Sequence, residues 1–438
     1  MNRTFIAVAA ALTLSAMAVR AQAPARMVPI AEAWSGTSVN TTIFRAGSVV
    51  SRAGVQYAAF YDPEGRLTLA RRRLGTDAWQ TAATQYTGNV ADAHNVISIA
   101  VDADGFLHVA FDHHDTPLRY CRSVAPDTLA LGELRPMTGL DERRVTYPEF
   151  HHLTDTTMLF AYRSGASGRG NMVLNVYHTP TQRWTRLHSV LVDGEDRRSA
   201  YWQMCTDARG RIHLTWVWRE TWMVETNHDI CYACSDDGGL TWHRSDGTPY
   251  ALPITAATAE YAWRVPQGSE LINQTSMTVC ADAPCLATYW TSAADSVPQF
   301  RLVWLGADGW RSTLIGRRSM PFSLSGGGTK MIPVSRPCLA GSDSLLVCLF
   351  RDAERGSRVT AAVASPARPA RWVPLDLTET SVDAWEPTID TDLWLSDGLL
   401  HVFVQRTSQG DGERTVSTQP QPAGILEVDT RALRDLLR

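Results

Sequence analysis

The stretch VDADGFLHVAFDHH, residues 101–114, contains the unit that decides the fold. An apolar strand runs into a turn rich in Asp and Gly, and a second, alternating strand follows, as expected of an antiparallel hairpin. The unit returns as TDARGRIHLTWVW at residues 206–218. Its second strand recurs about every 50 to 70 residues, which is typical of propeller blades with long loops. The seven second strands are AAFYD (58–62), HVAFDH (108–113), LFAYRS (159–164), HLTWVW (213–218), LATYWT (286–291), LVCLFR (346–351) and HVFVQR (401–406).

Seven units of this kind predict an all-β protein, a seven-bladed β-propeller that spans residues 27–438 as one domain. The segment SDDGGLTW at 235–242 fits the Asp box, a turn that stabilises a blade and carries no chemistry. We expect residues 42–45 to supply the strand that closes the last blade, and residues 431–438 to form a short helix. A two-sheet sandwich is the structural alternative, but it does not explain the seven-fold recurrence.

The N-terminus predicts a signal peptide over residues 1–21. Arg3 precedes an apolar run at 5–19, and small residues follow at the expected cleavage point. The mature protein is therefore expected in the periplasm or outside the cell. Its net charge of −4 gives no general attraction to nucleic acid or to an anionic membrane. We predict a monomer without either partner, in which any anionic ligand is held by a local cationic site.

Eight cysteines enter an oxidising compartment if the chain is exported. Cys280 and Cys285 flank a tight turn, and Cys338 and Cys348 are close enough in sequence to be hairpin partners. We expect disulfides at these places, although sequence alone leaves the connectivity open.

Strand direction gathers the polar residues of the second and third units on one face. Adjacent strands of a blade are antiparallel, so the start of the first strand and the end of the second lie at the same end. The residues placed there are His94, Asn95, His113, His114, Tyr147 and Arg163. The same rule adds candidate substrate-binding residues from the next units: Tyr201, Trp202, Arg219, Asn273 and Gln274. Each has a structural explanation when taken singly, but together they favour a ligand site.

The adjacent histidines His113 and His114 cannot share one role. Successive side chains of a strand point to opposite sides, so only one of the two faces the site. We expect it to be His114, with His113 as the substitute if the register shifts by one residue.

Histidine, tyrosine and arginine on this face favour β-elimination over hydrolysis. No pair of carboxylates stands out there, which counts against the usual glycoside hydrolase mechanism. Eliminating a sugar next to a uronate carboxylate requires a group that neutralises the carboxylate, a base and an acid. Arginine suits the first task through its fixed fork of donors, and histidine and tyrosine suit the other two.

The chain resembles the BNR-like propeller family that includes ulvan lyases and related enzymes cutting rhamnose–glucuronate linkages. The resemblance lies in residues 88–120, RVTYPEF (144–150), YRSGASGRGN (162–171) and INQTSM (272–277). It implies that Arg163 binds the uronate carboxylate of an anionic polysaccharide. It also implies that His94 and His114 position or exchange protons and that Tyr147 is acid or base. Which group removes the proton stays open.

Three alternatives accompany this hypothesis. Relatives of the same fold include rhamnosidases, so a glycoside hydrolase is the runner-up enzyme. A carbohydrate-binding propeller without catalysis is the third candidate function. We predict no cofactor and no metal in the site. The alternative is a structural zinc, as in some lyase relatives, and the nearest cluster for it is His228, Cys231, Cys234 and His243.

Overall fold

Each repeat of the sequence forms a small antiparallel sheet in the computed structural model, which describes residues 24–44, 46–273 and 276–438. In chain order, the first fourteen strands are β1 (Ala25–Ala33), β2 (Val49–Arg52), β3 (Val55–Tyr61), β4 (Arg66–Arg73), β5 (Gln80–Thr87), β6 (Ile97–Val101), β7 (Leu107–Phe111), β8 (His114–Thr116), β9 (Tyr120–Arg122), β10 (Val145–Thr154), β11 (Thr157–Ala166), β12 (Arg169–His178), β13 (Arg183–Val192) and β14 (Ser199–Thr206). The strands that follow are β15 (Ile212–Arg219), β16 (Asn227–Ser235), β17 (Glu260–Trp263), β18 (Ser276–Cys280), β19 (Ala283–Ser292), β20 (Asp295–Gly306), β21 (Gly309–Leu314), β22 (Cys338–Gly341), β23 (Leu346–Phe350), β24 (Thr360–Ala364), β25 (Val373–Asp376), β26 (Thr388–Ile389), β27 (Leu400–Gln405) and β28 (Gln421–Val428). Two short α-helices occur among the described residues, α1 (Thr391–Asp397) and α2 (Thr430–Asp435).

The strands pair mainly with their neighbours in the chain, which confirms the all-β prediction. Three sheets have four strands in sequence order, β2–β5, β18–β21 and β22–β25, and a fourth contains β6, β7 and β9. The largest sheet has nine strands. It consists of two antiparallel units, β10–β13 and β14–β17, that meet through a single parallel pair, Gly170 with Ser199, while β8 pairs with the edge of β10.

The last sheet joins the two ends of the chain in the order β1-β28-β27-β26. Strand β1 pairs with β28 from Ala25 opposite Val428 onward, so β1 is the closing strand. Our prediction of a closing strand at 42–45 was wrong. Arg45 lies outside the described residues, while the amide of Thr42, like that of Thr41, donates to the carbonyl of Ser38 in a turn.

A buried polar network ties this last sheet to the sheet β2–β5. The guanidinium of Arg72 bonds Glu427 of β28 at 2.8 Å and the side-chain oxygen of Gln56 at 2.7 Å. The amide of Gln56 in turn donates to Asp390 at 2.8 Å. Apolar residues of the same two sheets pack together beside the network, including Phe60 of β3.

The Asp box folds as its sequence predicts. The carboxylate of Asp237 accepts hydrogen bonds from the amide and hydroxyl of Thr241, and the indole of buried Trp242 donates to the carbonyl of Gly239 at 2.9 Å. Gly239 has φ +90°, which favours glycine. The box is a structural turn at the end of β16.

The expected disulfides do not form, and the strand register explains why. Cys280 lies opposite Ala283 and Cys285 opposite Thr278, so the two thiols are diagonal neighbours rather than partners. Cys338 lies opposite Leu349 and Cys348 opposite Leu339, which points these two thiols to opposite faces of their sheet.

The described residues contain no helix that combines the length and apolar character needed to span a bilayer. The predicted signal peptide, residues 1–21, lies outside the described residues.

Candidate functional site

The ends of neighbouring strands bring together His94, His114, Tyr147 and Arg163. His94 precedes β6, His114 begins β8, and Arg163 lies in β11 beside Tyr147 of β10. Tyr147 has φ +56° at a point where the register between β10 and β11 shifts. A positive φ is unfavourable for a bulky residue, and such strain often occurs at functional sites.

The histidine pair, His94 and His114, is stacked and shares one carboxylate. The two rings lie 4.0 Å apart at 14° to each other. His94 Nδ1 donates to Asp92 Oδ1 at 2.8 Å, and His114 Nδ1 donates to Asp92 Oδ2 at 2.5 Å. Each Nε2 is therefore left for other partners, and among the described residues neither has a hydrogen-bond partner.

A second carboxylate acts on His94 alone. Glu413 Oε1 lies 3.2 Å from His94 Nδ1. Burial by itself would lower the pKa of His94, but the hydrogen bonds to Asp92 and Glu413 outweigh it and raise the pKa to about 9. His94 is therefore an imidazolium at neutral pH. The pKa of Asp92 is held well below its usual range because the bonds to both histidines outweigh its burial.

Behind the histidine pair lies a cluster of two tyrosines and two arginines. The rings of Tyr147 and Tyr201 are 5.7 Å apart, and the guanidinium of Arg163 lies 5.0 Å from the Tyr147 ring. Arg163 Nη1 donates to the Tyr201 oxygen at 3.2 Å, and Arg219 Nη1 approaches it at 3.5 Å. The hydroxyl of Ser167 lies 2.8 Å from the same oxygen.

The two tyrosines differ in acidity. Burial would raise the pKa of Tyr201, but the charges of Arg219 and Arg163 outweigh it and lower the pKa to about 8. For Tyr147, burial and the neighbouring Tyr201 raise the pKa well above its usual range despite the nearby arginines. Tyr201 thus loses its proton more readily than Tyr147.

The arginine pair, Arg163 and Arg219, has no carboxylate partner among the described residues. The two residues are 1% and 6% exposed. Besides Tyr201, Arg163 donates to the carbonyl of Gly165 and Arg219 to the carbonyl of Trp222. A buried cation without a counter-charge is unfavourable, so this pair is suited to bind an anion.

A cavity of about 50 Å³ adjoins these groups. His94, Tyr147 and Arg219 line it, while His114, Arg163 and Tyr201 are not among its lining residues. Its lining includes Phe44, His94, Tyr147, Arg219, Asn273, Lys330, Arg336, Arg351 and Glu386. Arg336 pairs with Glu386 at 2.7 Å, so its charge is compensated, unlike that of the arginine pair. A larger cavity of about 360 Å³ lies at the opposite ends of the same strands, where His152 and Cys205 contribute to a lining that is more apolar than polar.

The other predicted site residues differ in whether they line the cavity. Asn273 lines the cavity, and Gln274 lies outside the described residues. Asn95 is buried and donates to the carbonyl of Asn89. Trp202 is buried in the core formed by its sheet, because it points to the opposite side from Tyr201. Neither Asn95 nor Trp202 reaches the cavity.

His113 is fully buried, and its Nε2 accepts a hydrogen bond from the amide of Arg119 at 2.8 Å. Burial and the charge of Arg119 lower its pKa to about 3. His113 is thus neutral and enclosed and does not line the cavity, so its part in substrate binding stays a prediction without support from this geometry.

The cluster considered for zinc does not assemble. Cys234 Sγ lies 3.2 Å from His243 Nδ1, but His228 bonds Glu220 and Asp229 instead, and Cys231 is buried on the other face of its strand. Among the described residues, one group brings three atoms that could bind a metal within 4.8 Å of one another, one atom each from Asp92, His94 and His114. The Nδ1 atoms of both histidines already form hydrogen bonds with the carboxylate of Asp92.

Fold and site together define a propeller-like all-β protein with a cationic cavity at one end of its strands, which Tyr147 helps to line. The chain belongs to the BNR repeat-containing family, whose model matches residues 55–318.

An ulvan lyase (long isoform) of Alteromonas sp. (strain LOR) is 24% identical in an alignment 215 residues long that covers 38% of this chain and 22% of that protein. The match thus spans less than a quarter of that relative. The solved polysaccharide lyase Uly1 superposes with a TM-score of 0.66 at 15% identity, covering 88% of this chain and 90% of that one. A PL25 ulvan lyase bound to -[GlcA(1-4)Rha3S]- gives 0.68 at 13% identity, with 92% and 96% covered. These two likenesses establish a shared fold.

Proposed function

We propose that the chain is a polysaccharide lyase that cleaves a uronate-containing, rhamnose–glucuronate polysaccharide of the ulvan type by β-elimination. The observation that carries the proposal is the buried arginine pair, Arg163 and Arg219, which has no carboxylate partner among the described residues. A uronate carboxylate supplies the missing negative charge, and guanidinium groups bind carboxylates through paired, charge-assisted hydrogen bonds.

The cavity admits the carboxylate but not the sugar. A volume of about 50 Å³ is close to the space that one or two waters occupy. The carboxylate therefore enters toward Arg219, the member of the arginine pair that lines the cavity, and the sugar rings of the polymer lie at the mouth. Binding the carboxylate to guanidinium groups stabilises the enolate-like charge that grows when the neighbouring C–H bond breaks.

The protonation states divide the remaining roles. His94 and Tyr147 hold their protons at neutral pH and are therefore donors, suited to protonating the leaving oxygen. Tyr201 loses its proton most readily of the two tyrosines, and we assign it as the base. Asp92 positions the histidine pair by fixing both Nδ1 atoms. The site needs no cofactor in this scheme.

The number of blades, the export of the chain and its oligomeric state are part of the same proposal. Counting the two units of the nine-stranded sheet separately gives seven sheets, which supports a seven-bladed propeller over residues 27–438. The apolar N-terminal segment supports export to the periplasm or the medium, where we propose that the chain acts as a monomer.

The test is incubation of the protein with ulvan, followed by two readouts on the same sample. Elimination produces new reducing ends together with the ultraviolet absorbance of an unsaturated uronate. New ends without that absorbance would establish a hydrolase, and binding without new ends a lectin-like protein. Tyr201→Phe should abolish turnover. The matched control is Tyr177→Phe, which removes a buried hydroxyl bonded to Asp102 away from the cavity.

A further inference from the structure

One tryptophan differs from all the others in its exposure. The chain has fifteen tryptophans, all within the described residues, and fourteen of them are buried or half-buried. Trp222 is 62% exposed. Single exposed apolar side chains are common on protein surfaces, so the meaning of this one depends on what lies beside it. A tryptophan offers a large apolar face, which suits it to contact a ligand at such a position.

Trp222 stands at the mouth of the cavity. Its neighbours in the chain, Arg219 and Val224, both line the cavity, and so does Gly328 across from it. The carbonyl of Trp222 accepts a hydrogen bond from Arg219 Nη2. The loop that carries the ring is thus hydrogen-bonded to Arg219, a member of the arginine pair.

The Trp222 ring packs against the backbone of Gly327 and not against a flexible side chain. A Cβ on Gly327 would lie 2.4 Å from Cε3 and 2.6 Å from Cζ3 of Trp222, so the ring packs directly against the glycine. The amide of Val224 donates to the carbonyl of Gly326 at 2.8 Å, and the amide of Gly326 donates to Glu225 at 3.0 Å. The ring is therefore supported on one side while more than half of its surface stays open.

We propose that Trp222 is a stacking platform for the sugar ring next to the uronate that occupies the cavity. The inference rests on the proposed function, because it takes the orientation of the polymer from the carboxylate. An indole face attracts polarised C–H groups and offers nothing to a carboxylate. The platform therefore takes the ring without a carboxylate, such as the rhamnose of a rhamnose–glucuronate repeat, while the uronate is held by the arginine pair.

Steady-state kinetics on the polysaccharide test the platform through a split between KM and kcat. Trp222→Ala should raise KM about tenfold, the equivalent of losing about 1.4 kcal/mol of binding, with kcat changed less than about twofold. Trp222→Phe should recover most of the loss, because a phenyl ring also stacks. Leu240→Ala is the matched control, since Leu240 is 61% exposed in the turn at the opposite end of β16.

Fluorescence gives a second readout that needs no turnover. Iodide should quench a component of the wild-type emission that Trp222→Phe lacks, and added ulvan should protect that component. A wild-type KM in Trp222→Ala, or quenching that ulvan leaves unchanged, overturns the platform. If the wild-type protein cleaves nothing, the lyase proposal fails, while protection from iodide still decides whether Trp222 binds the polymer.

Discussion

Replacing Asp92 by asparagine removes the carboxylate that both members of the histidine pair share. The pKa of His94 is about 9, against an ordinary value of 6.5. That difference corresponds to about 3 kcal/mol of interaction favouring the charged ring. Asp92 and Glu413 both contribute, and together they also offset burial, which lowers the pKa. We therefore expect the pKa of His94 in Asp92→Asn to fall below about 8.

The same change predicts how stability depends on pH. The pKa of His94 is higher in the folded than in the unfolded chain. Its protonation therefore stabilises the fold fully below pH 6.5, and the effect is lost as the pH rises through about 9. The wild-type protein should lose about 3 kcal/mol of unfolding free energy across that range from this group. Asp92→Asn should lose less than half as much, at lower pH.

The assay is an NMR titration of the His94 ring protons, with urea unfolding at several pH values as the stability readout. Asp207→Asn is a matched control, because Asp207, in the turn between β14 and β15, also faces a histidine, His213, at 3.5 Å. The control should leave the titration of His94 unchanged. A His94 pKa that stays near 9 in Asp92→Asn would refute the role given to the shared carboxylate.

Other substitutions test the remaining parts of the account. Arg163→Ala should lower kcat/KM on the polysaccharide by about a hundredfold or more in steady-state assays, because it removes a donor to the developing charge; a loss below about threefold would contradict this. Wild-type kcat should rise as the pH passes about 8, where Tyr201 loses its proton, whereas any residual activity of Tyr201→Phe should show no such rise in a pH–rate profile. Arg72→Met should lower the unfolding free energy measured in urea by about 1 to 3 kcal/mol, because it leaves the side-chain oxygen of Gln56 without its donor and removes the ion pair with Glu427; an unchanged urea midpoint would refute the role of the buried polar network.

Local rules predicted where most of the site lies. Antiparallel strands place His94, His114, Tyr147 and Arg163 at the same end of neighbouring sheets, and the two-residue period of a strand distinguishes His114 from His113. The same period, applied after Tyr201, would have removed Trp202 from the site. These predictions depend on contacts between segments that are close in sequence.

Contacts between distant segments escaped prediction. Glu413 reaches His94 across 319 positions of sequence, and Arg336 enters the cavity from a loop with no repeat pattern. Neither position carries a local signal, because such contacts depend on how the sheets are arranged around the cavity. Asp92 did carry a local signal, because it lies two residues before His94, close enough for its carboxylate to reach the ring of that histidine. The closing strand was misplaced because β1 has little alternation of its own and is defined by its partner β28.

Mass spectrometry of the cleavage products tests the central claim most directly. A purified oligosaccharide with alternating rhamnose and glucuronate is digested, and the masses of its two fragments are added. Elimination moves atoms without adding any, so the account predicts that the sum equals the mass of the intact oligosaccharide. A sum larger by one water would identify hydrolysis and contradict the account.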